Sequence, residues 1–457
     1  MENERAANDW GLYWTEDTSP GSLRAAFLGV LLLALCVRIL LLTHISLQHP
    51  EYIVQDLDSV ETMIHEPGVP YMNDFGYEAS NIAYAWVAGG QVYASPFGGA
   101  TGPTAWIAPG IVAPYVLSFA LWDCFTPASI LFAYGLALIV SLLTTVVVFK
   151  IAALLTGSRR AGLAAALIFA VLPYEAWVFH TRSQLDFNLP VLWFALLLLA
   201  VLRTIDEPGS SGIGLGVVSS FAALFNPGFI LCTGVGWLLA MPGRGARRNL
   251  RLGLNLLVVH VLLVGPYVAW QSFRIGTFVP VKSNAPVELF IGNTDTASGL
   301  LRHQVFLTYH PSQNDAQFVL YSEVGEGAYV REARRRFLES FDTREFIENT
   351  VRRAYLFFFG YEVKPWDHSA VKILIKRALW LLFFLSLVGL IVIRRGRPSR
   401  LETASLLFTL AYAFPYLFTG IMERYRIPIT PVVAVALAIM LREVWNTCGR
   451  RSASSLL

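Results

Sequence analysis

Between Arg38 and Lys150 the chain has neither lysine nor arginine. Charge is scarce throughout: charged residues make up 15% and the formal net charge is +3, whereas soluble domains run near 25% charged. The basic residues are segregated loop by loop and form no patch, so nucleic acid is not an expected partner. Cysteine is equally sparse. Cys36, Cys124, Cys232 and Cys448 are scattered, with no C-x-x-C pair, which leaves no disulfide framework and no zinc-finger spacing. No internal repeat and no low-complexity tract is present. The one glycine cluster that hints at a phosphate loop, "GIGLG" at 212–216, reads better as close packing between helices.

What fills the space is apolar. Hydrophobic residues reach 55% and the mean hydropathy is +0.53, in runs long enough to cover a hydrocarbon core, which takes about 20 residues. The chain therefore reads as an all-α polytopic membrane protein. Its first run, "LRAAFLGVLLLALCVRILLLT", is too long for a signal-peptide core, contains Arg38 and lacks an A-x-A site, so a retained span is expected.

Cations in short loops mark the cytoplasmic side. Four loops are basic: "TGSRR" at 156–160, "PGRGARRNLR" at 242–251, "RRGRPSR" at 394–400 and "CGRR" at 448–451. With these inside, about ten spans follow, near 23–43, 128–150, 161–178, 187–203, 212–224, 229–241, 250–270, 373–393, 402–419 and 427–445. The expected organisation is a cytoplasmic tail (1–22), a membrane module (23–270), a large outer region (271–370), C-terminal helices (371–445) and a second cytoplasmic tail (446–457). Residues 44–127 form a first outer loop within the module. The apolar run 106–122 carries Pro109 and Pro114, which interrupt a helix. It is placed on the outer surface or as a re-entrant segment, an eleventh span being the alternative. In the second outer region, Asp342 and Glu345 have the spacing of a capping box.

The first outer loop is free of cations yet keeps its carboxylates: Glu51, Asp56, Asp58, Glu61, Glu66, Asp74, Glu78 and Asp123. Ionisable groups at membrane depth are functional candidates by default. Glu78 opens "EASNIAYAWVAGG", in which Glu78 and Asn81 share a polar helical face with Ile82, Ala83 and Trp86 opposite. Such a helix is expected to lie in the headgroup plane. Asp74, four residues earlier, is either its cap or a partner of Glu78. The five acids from Glu51 to Glu66 read as solvated surface. The following stretch, "YASPFGGATGPTAWIAPG", has the glycine and proline density of a fixed irregular loop.

The acidic residue in the first outer loop followed by "SPFGGATGPTAWIAPG", then "VPVKSNAPVELFIGNTDTASG" at 279–299, "YHPSQNDAQ" at 309–317 and "RYRIPITPV" at 424–432, resembles the GT-C superfamily of polyprenyl-phosphate-sugar-dependent glycosyltransferases. The similarity is to bacterial members of the protein O-mannosyltransferase and lipid A aminoarabinose transferase group, and it covers most of the chain. It implies a GT-C-type fold with outer-face juxtamembrane helices and a mixed outer loop domain. It also implies a sugar donor on a polyprenyl phosphate, an active site open to the outer face, and a first-loop carboxylate as the base that activates the acceptor. Many members carry an adjacent acidic pair at that position. Here the sequence is "DFGYE", so the base is Glu78 or Asp74, with Glu78 favoured because it directly precedes the helix ending in "AGG".

The leaving phosphate needs cations. Arg424 and Arg426 stand in a short outer loop against the positive-inside trend and suit bidentate phosphate binding, headgroup snorkelling being the plainer reading. Arg182 is a further phosphate candidate. With His180 and Asp186 in "PYEAWVFHTRSQLDF", it either orients a sugar or forms an internally satisfied polar cluster. Lys282 is a weaker candidate, and Arg38 is expected to snorkel, with a minor role at the phosphate. His303, His310 and His368 fit no ligand spacing and read as surface histidines. No cofactor is assigned, and a divalent metal stays open. The expected partners are a polyprenyl-phosphate-linked sugar, an acceptor that is lipid, glycan or protein, and the bilayer, with the site facing outward from a bacterial cytoplasmic membrane. The rival class is a transporter or lipid flippase, which would favour matching repeats and polar groups at mid-span.

Overall fold

A computed structural model describes residues 20–48, 70–71, 75–172, 184–207, 209–294, 303–359 and 399–454, with scattered positions between 374 and 392. Asp74, His180, Arg182, His368, the acids from Glu51 to Glu66 and most of the expected span 373–393 lie outside these residues.

The described chain is helical, with one isolated bridge between Ala94 and Pro103. In order, the helices are α1 (Pro20–Gln48), α2 (Tyr77–Val87), α3 (Pro109–Trp122), α4 (Pro127–Thr156), α5 (Arg159–Val171), α6 (Gln184–Asp206), α7 (Ile213–Phe225), α8 (Gly228–Ala240) and α9 (Ala246–Leu263). They continue with α10 (Gly265–Ile275), α11 (Ala285–Gly292), α12 (His303–Tyr309), α13 (Asp315–Glu339), α14 (Thr343–Phe358), α15 (Arg400–Ala413) and α16 (Tyr416–Thr419). A 3-10 turn, Glu423–Ile429, leads into α17 (Thr430–Ser454).

Five segments among the described residues are long and apolar enough to cross a membrane: Gly21–His44, Pro127–Thr156, Leu185–Asp206, Arg400–Thr419 and Arg424–Trp445. The pair α9–α10, bent by 48°, makes a possible sixth. The expected tally of ten is therefore not reproduced among these residues. Of the spans that fall short, α5, α7 and α8 have 13 residues each and rise only about 20 Å, against a core of about 30 Å, and the expected span 373–393 lies mostly outside the described residues. The run 106–122 likewise yields a 14-residue helix beginning at Pro109.

Local chemistry sets the helix ends. Thr126 caps α4, its hydroxyl accepting from the Ser129 amide at 3.2 Å, with Pro127 at the first helical position. Asp342 caps α14 by accepting from the Glu345 amide at 2.8 Å, as its spacing predicts. A reciprocal Ser399–Glu402 capping box opens α15. In "GIGLG" the expected close packing is present: a Cβ on Gly216 would lie 3.1 Å from Val259 of α9.

The centre of the bundle is α6, whose most apolar window is 78% buried against 17% for α1. Arginines from two of the basic loops and from α17 bind helix C-termini. Arg442 donates to the Thr156 carbonyl at 2.9 Å, Arg244 to the carbonyls of Thr204, Glu207 and Ser210, and Arg400 to those of Leu239 and Pro242. These are carbonyls at or just beyond the C-termini of α4, α6 and α8, where a cation meets both unsatisfied acceptors and the negative end of the helix dipole. The opposite end of α6 carries Asp186 in its first turn.

Arg38 departs from expectation. It does not snorkel: it is 1% exposed, with Nε donating to Ser141 Oγ at 2.6 Å and one terminal nitrogen donating to the carbonyls of Ala34 and Ala170 at 3.0 and 3.1 Å. It pins α1 to α4 and α5.

Candidate active site

The segment around Glu78 is shaped by Gly76. This residue precedes α2 with φ +84°, and a Cβ there would lie 2.6 Å from the Tyr115 ring, so both conformation and space call for glycine. Phe75 packs edge-on against the same ring at 5.4 Å. These contacts fix the start of α2 and put Glu78 in its first turn, where a carboxylate is favoured by the helix dipole. The helix does not leave one face open as its amphipathic pattern suggests. Residues 79–85 are all buried, and Asn81 faces inward, its amide donating to the carbonyls of Tyr71 at 2.6 Å and Pro96 at 3.1 Å.

The glycine-rich loop that follows is held by a residue without a sequence motif, Glu326. Helix α13 breaks at Gly325, φ 75°, and turns Glu326 inward. Its carboxyl accepts from the Ala105 amide at 2.7 Å, the Tyr321 hydroxyl at 2.7 Å and the Thr104 hydroxyl. Burial pushes its pKa up against the opposing pull of these donors. The Ser283 amide in turn donates to the Ala105 carbonyl at 3.0 Å, which sets the neighbouring Lys282 against the same loop. The segments read from sequence as the first and second outer regions are thereby joined at one place.

Around this junction, five ionisable residues from four segments form one electrostatically linked group: Glu78 from α2, Asp186 from the first turn of α6, Lys282 and Glu288 from the segment before and within α11, and Arg424 in the 3-10 turn. Burial raises the Glu78 pKa above the ordinary 4.5. Arg424 and Lys282 pull it down, and Glu288 adds to the rise. Burial lowers the Lys282 pKa, against the favourable pull of Glu288, Glu78 and Asp186. Tyr115 donates to Asp186 Oδ1 at 3.3 Å, and Asn284 donates to Glu288 Oε1 at 2.8 Å. Arg424 lies 5.6 Å from the centroid of the Tyr425 ring, which stacks on Tyr416 at 4.5 Å. Tyr416 is held by Asn226, whose amide donates to its hydroxyl at 2.7 Å.

Of the residues expected from sequence, Glu78, Asp186, Lys282 and Arg424 converge. Arg426 is 3% exposed and donates to the Leu356 carbonyl at 2.8 Å, at the end of α14. Arg38 lies among the membrane helices, bound to Ser141. Glu288 and Tyr115 were not anticipated. The only sign of Glu288 in sequence is its place beside Lys282 in "VPVKSNAPVEL".

His310 is not a surface residue. It is buried in an aromatic box of Phe97, Trp106 and Phe306, and its Nδ1 accepts from the Ser312 amide at 3.1 Å. Burial and the Arg424 charge push its pKa down to about 3. Among the described residues, no group of three His, Cys, Asp or Glu side chains is placed to hold a metal ion.

A buried carboxylate within the field of two cations is chemistry that can take up a proton near a developing negative charge. No protein-family model matches the chain, and no curated protein resembles it in sequence. Solved structures do. The archaeal oligosaccharyltransferase AglB from Archaeoglobus fulgidus, in complex with an inhibitory peptide and a dolichol-phosphate, superposes with a TM-score of 0.52 at 14% identity, over 94% of this chain and 52% of that one. The Archaeoglobus fulgidus oligosaccharyltransferase in its apo form gives 0.51 at 13%, over 94% and 52%. Its complex with Zn and sulfate gives 0.51 at 14%, over 93% and 50%. The chain thus spans about half the length of the structures it matches, and the likeness shows the fold.

Proposed function

We propose, for a chain that has the fold of the GT-C superfamily, that it is a membrane glycosyltransferase. It moves a sugar from a polyprenyl-phosphate carrier to an acceptor at the outer face of the membrane. The observation that carries this reading is the placement of Glu78 under the combined influence of Arg424 and Lys282, on the fold whose solved example holds a dolichol-phosphate.

In the proposed step an acceptor hydroxyl attacks the anomeric carbon of the donor sugar. The new glycosidic bond forms as the bond from that carbon to the phosphate oxygen breaks, and the phosphate leaves with the electron pair. The acceptor proton passes to Glu78. General-base help of this kind is worth about 10²–10⁴ in rate. Arg424, with Lys282 beside it, meets the charge that builds on the phosphate. Asp186, held by Tyr115, offers an acceptor for sugar hydroxyls. Asp74, Arg182 and His180, outside the described residues, stay candidates for the second acid, a further phosphate contact and a sugar contact. The displacement is inverting by analogy with the superfamily, and a bacterial cytoplasmic membrane is the proposed setting.

The test is donor consumption. Purified protein in lipid nanodiscs is given a panel of polyprenyl-phosphate sugars with extracted envelope acceptors, and free polyprenyl phosphate is measured. At least one donor should be consumed by wild type and spared by Glu78→Gln. Equal consumption by both would remove Glu78 from the chemistry.

A further inference from the structure

Helix α14 carries two neighbouring arginines with opposite fates. Arg352 is exposed, while Arg353 is 0% exposed. The buried guanidinium spans two segments. One terminal nitrogen donates to the carbonyls of Leu417 and Phe418, at 3.1 and 2.9 Å. The other donates to the Gly292 carbonyl and to Asn293 Oδ1, the latter at 2.9 Å. Its acceptors are therefore the C-terminal ends of α11 and α16, where orphan carbonyls and the dipole both favour a cation.

These two ends are also pressed together directly. The Asn293 amide donates to the Phe418 carbonyl at 2.9 Å, and a Cβ on Gly292 would fall within 1.5 Å of the Thr419 oxygen. Helix α14 touches the second segment once more, because its Leu356 carbonyl receives Arg426 from the 3-10 turn. What the clamp joins is decisive. Glu288 lies one turn before Gly292 on α11, with Lys282 just ahead of that helix. Arg424 lies just beyond α16, in the turn that Arg426 anchors.

The geometry points to Arg353 as a positioning residue for the site. It holds the segment bearing Lys282 and Glu288 against the segment bearing Arg424, so that both present their charges to Glu78 in a fixed arrangement. This rests on the glycosyl-transfer reading for its catalytic consequence. The role requires arginine: four acceptors on two segments match a planar fork of five donors, whereas the compact ammonium of lysine cannot span them. Misplacement of reacting groups by about 1 Å is enough to cost about 10²-fold in rate.

The experiment uses the full chain in nanodiscs, with the four native cysteines replaced and spin labels at Ala285 and Phe414. Both positions are exposed, one on α11 and one at the end of α15 leading into α16. Arg353→Lys should broaden the label-to-label distance distribution and lower kcat at least tenfold, with the acceptor KM nearly unchanged. Asn293→Ala, which removes one acceptor of the clamp and its bridge to Phe418, should shift both readouts the same way by less. It remains informative if the lysine variant does not fold. A distribution as narrow as wild type, with kcat unchanged per folded molecule in both variants, would overturn the proposal even if the melting temperature fell. Failure of wild type to consume any donor, with the distances responding as expected, would sink the transfer reading and with it the catalytic consequence, while leaving the clamp itself demonstrated.

Discussion

Glu326 offers a perturbation whose size follows from its contacts. Its carboxyl gathers the Ala105 amide, the Tyr321 hydroxyl and the Thr104 hydroxyl, and among the described residues that amide has no other acceptor. In Glu326→Ala the amide is left without an acceptor in a buried place, at a cost of about 1–3 kcal/mol. That cost lowers the free energy of local opening. Amide exchange through such openings should then accelerate by about 5–150-fold, at about 1.4 kcal/mol per factor of ten. Glu326→Gln behaves differently. Its carbonyl still accepts from Ala105, and its NH2 donates to the two hydroxyls, which rotate to receive it. Hydrogen–deuterium exchange of peptides covering 101–107 and 279–284 reads this directly, because the Ser283 amide depends on the same loop. The account expects strong acceleration in both peptides for alanine and little for glutamine. Unchanged exchange at 104–106 in Glu326→Ala would refute the view that this carboxyl holds the loop.

Three further outcomes follow from the same geometry. The rate of transfer should rise with pH as Glu78 loses its proton, and because burial raises its pKa, this acid limb should lie above pH 4.5. Glu288→Gln removes a like charge and should move the limb to lower pH, whereas Lys282→Met removes a favourable cation and should move it higher; shifts of one sign in both would contradict the charge arrangement. Gly76→Ala should destabilise by more than the roughly 1–2 kcal/mol of left-handed strain, since a Cβ meets the Tyr115 ring. Gly90→Ala, at φ +64° with open space around it, should cost only the strain; equal melting shifts would show that the ring yields. Arg38→Met, which removes two hydrogen bonds joining α1 to α4 and α5, should lower the melting temperature without altering the pH profile of transfer.

The apolar runs that the described residues cover become helices, one of them broken into the bent pair α9–α10, because a continuous apolar stretch has one economical backbone arrangement in lipid. The cap at Asp342 was equally legible, being a contact three residues long. What sequence did not disclose depends on contacts between distant positions. Arg38 reads as a snorkelling residue until Ser141 and Ala170 are seen beside it. Arg353 is indistinguishable from Arg352 by type, and only the helical face shared with Asn349 and Phe357 separates them. Glu326 stands in an acidic stretch that looks solvated, and a single break at Gly325 reverses its exposure. His310 reads as a surface residue because its aromatic box is assembled from Phe97, Trp106 and Phe306. At the site, the sequence pairs Glu78 with Asp74, Asp186 with His180 and Arg182, and Arg424 with Arg426, each within its own stretch, and offers Lys282 as a weaker candidate. Their convergence, and the addition of Glu288, came only with the fold.

The central claim is that a carrier phosphate binds beside a carboxylate that is needed for chemistry and not for binding. Thermal unfolding of wild type, Arg424→Ala and Glu78→Gln with and without polyprenyl phosphate tests it most directly, since a ligand that binds only the folded state raises apparent stability. The account predicts stabilisation of wild type and of Glu78→Gln, and little or none for Arg424→Ala. Equal stabilisation of all three would place the phosphate elsewhere, and no stabilisation of wild type by any carrier length would contradict the account.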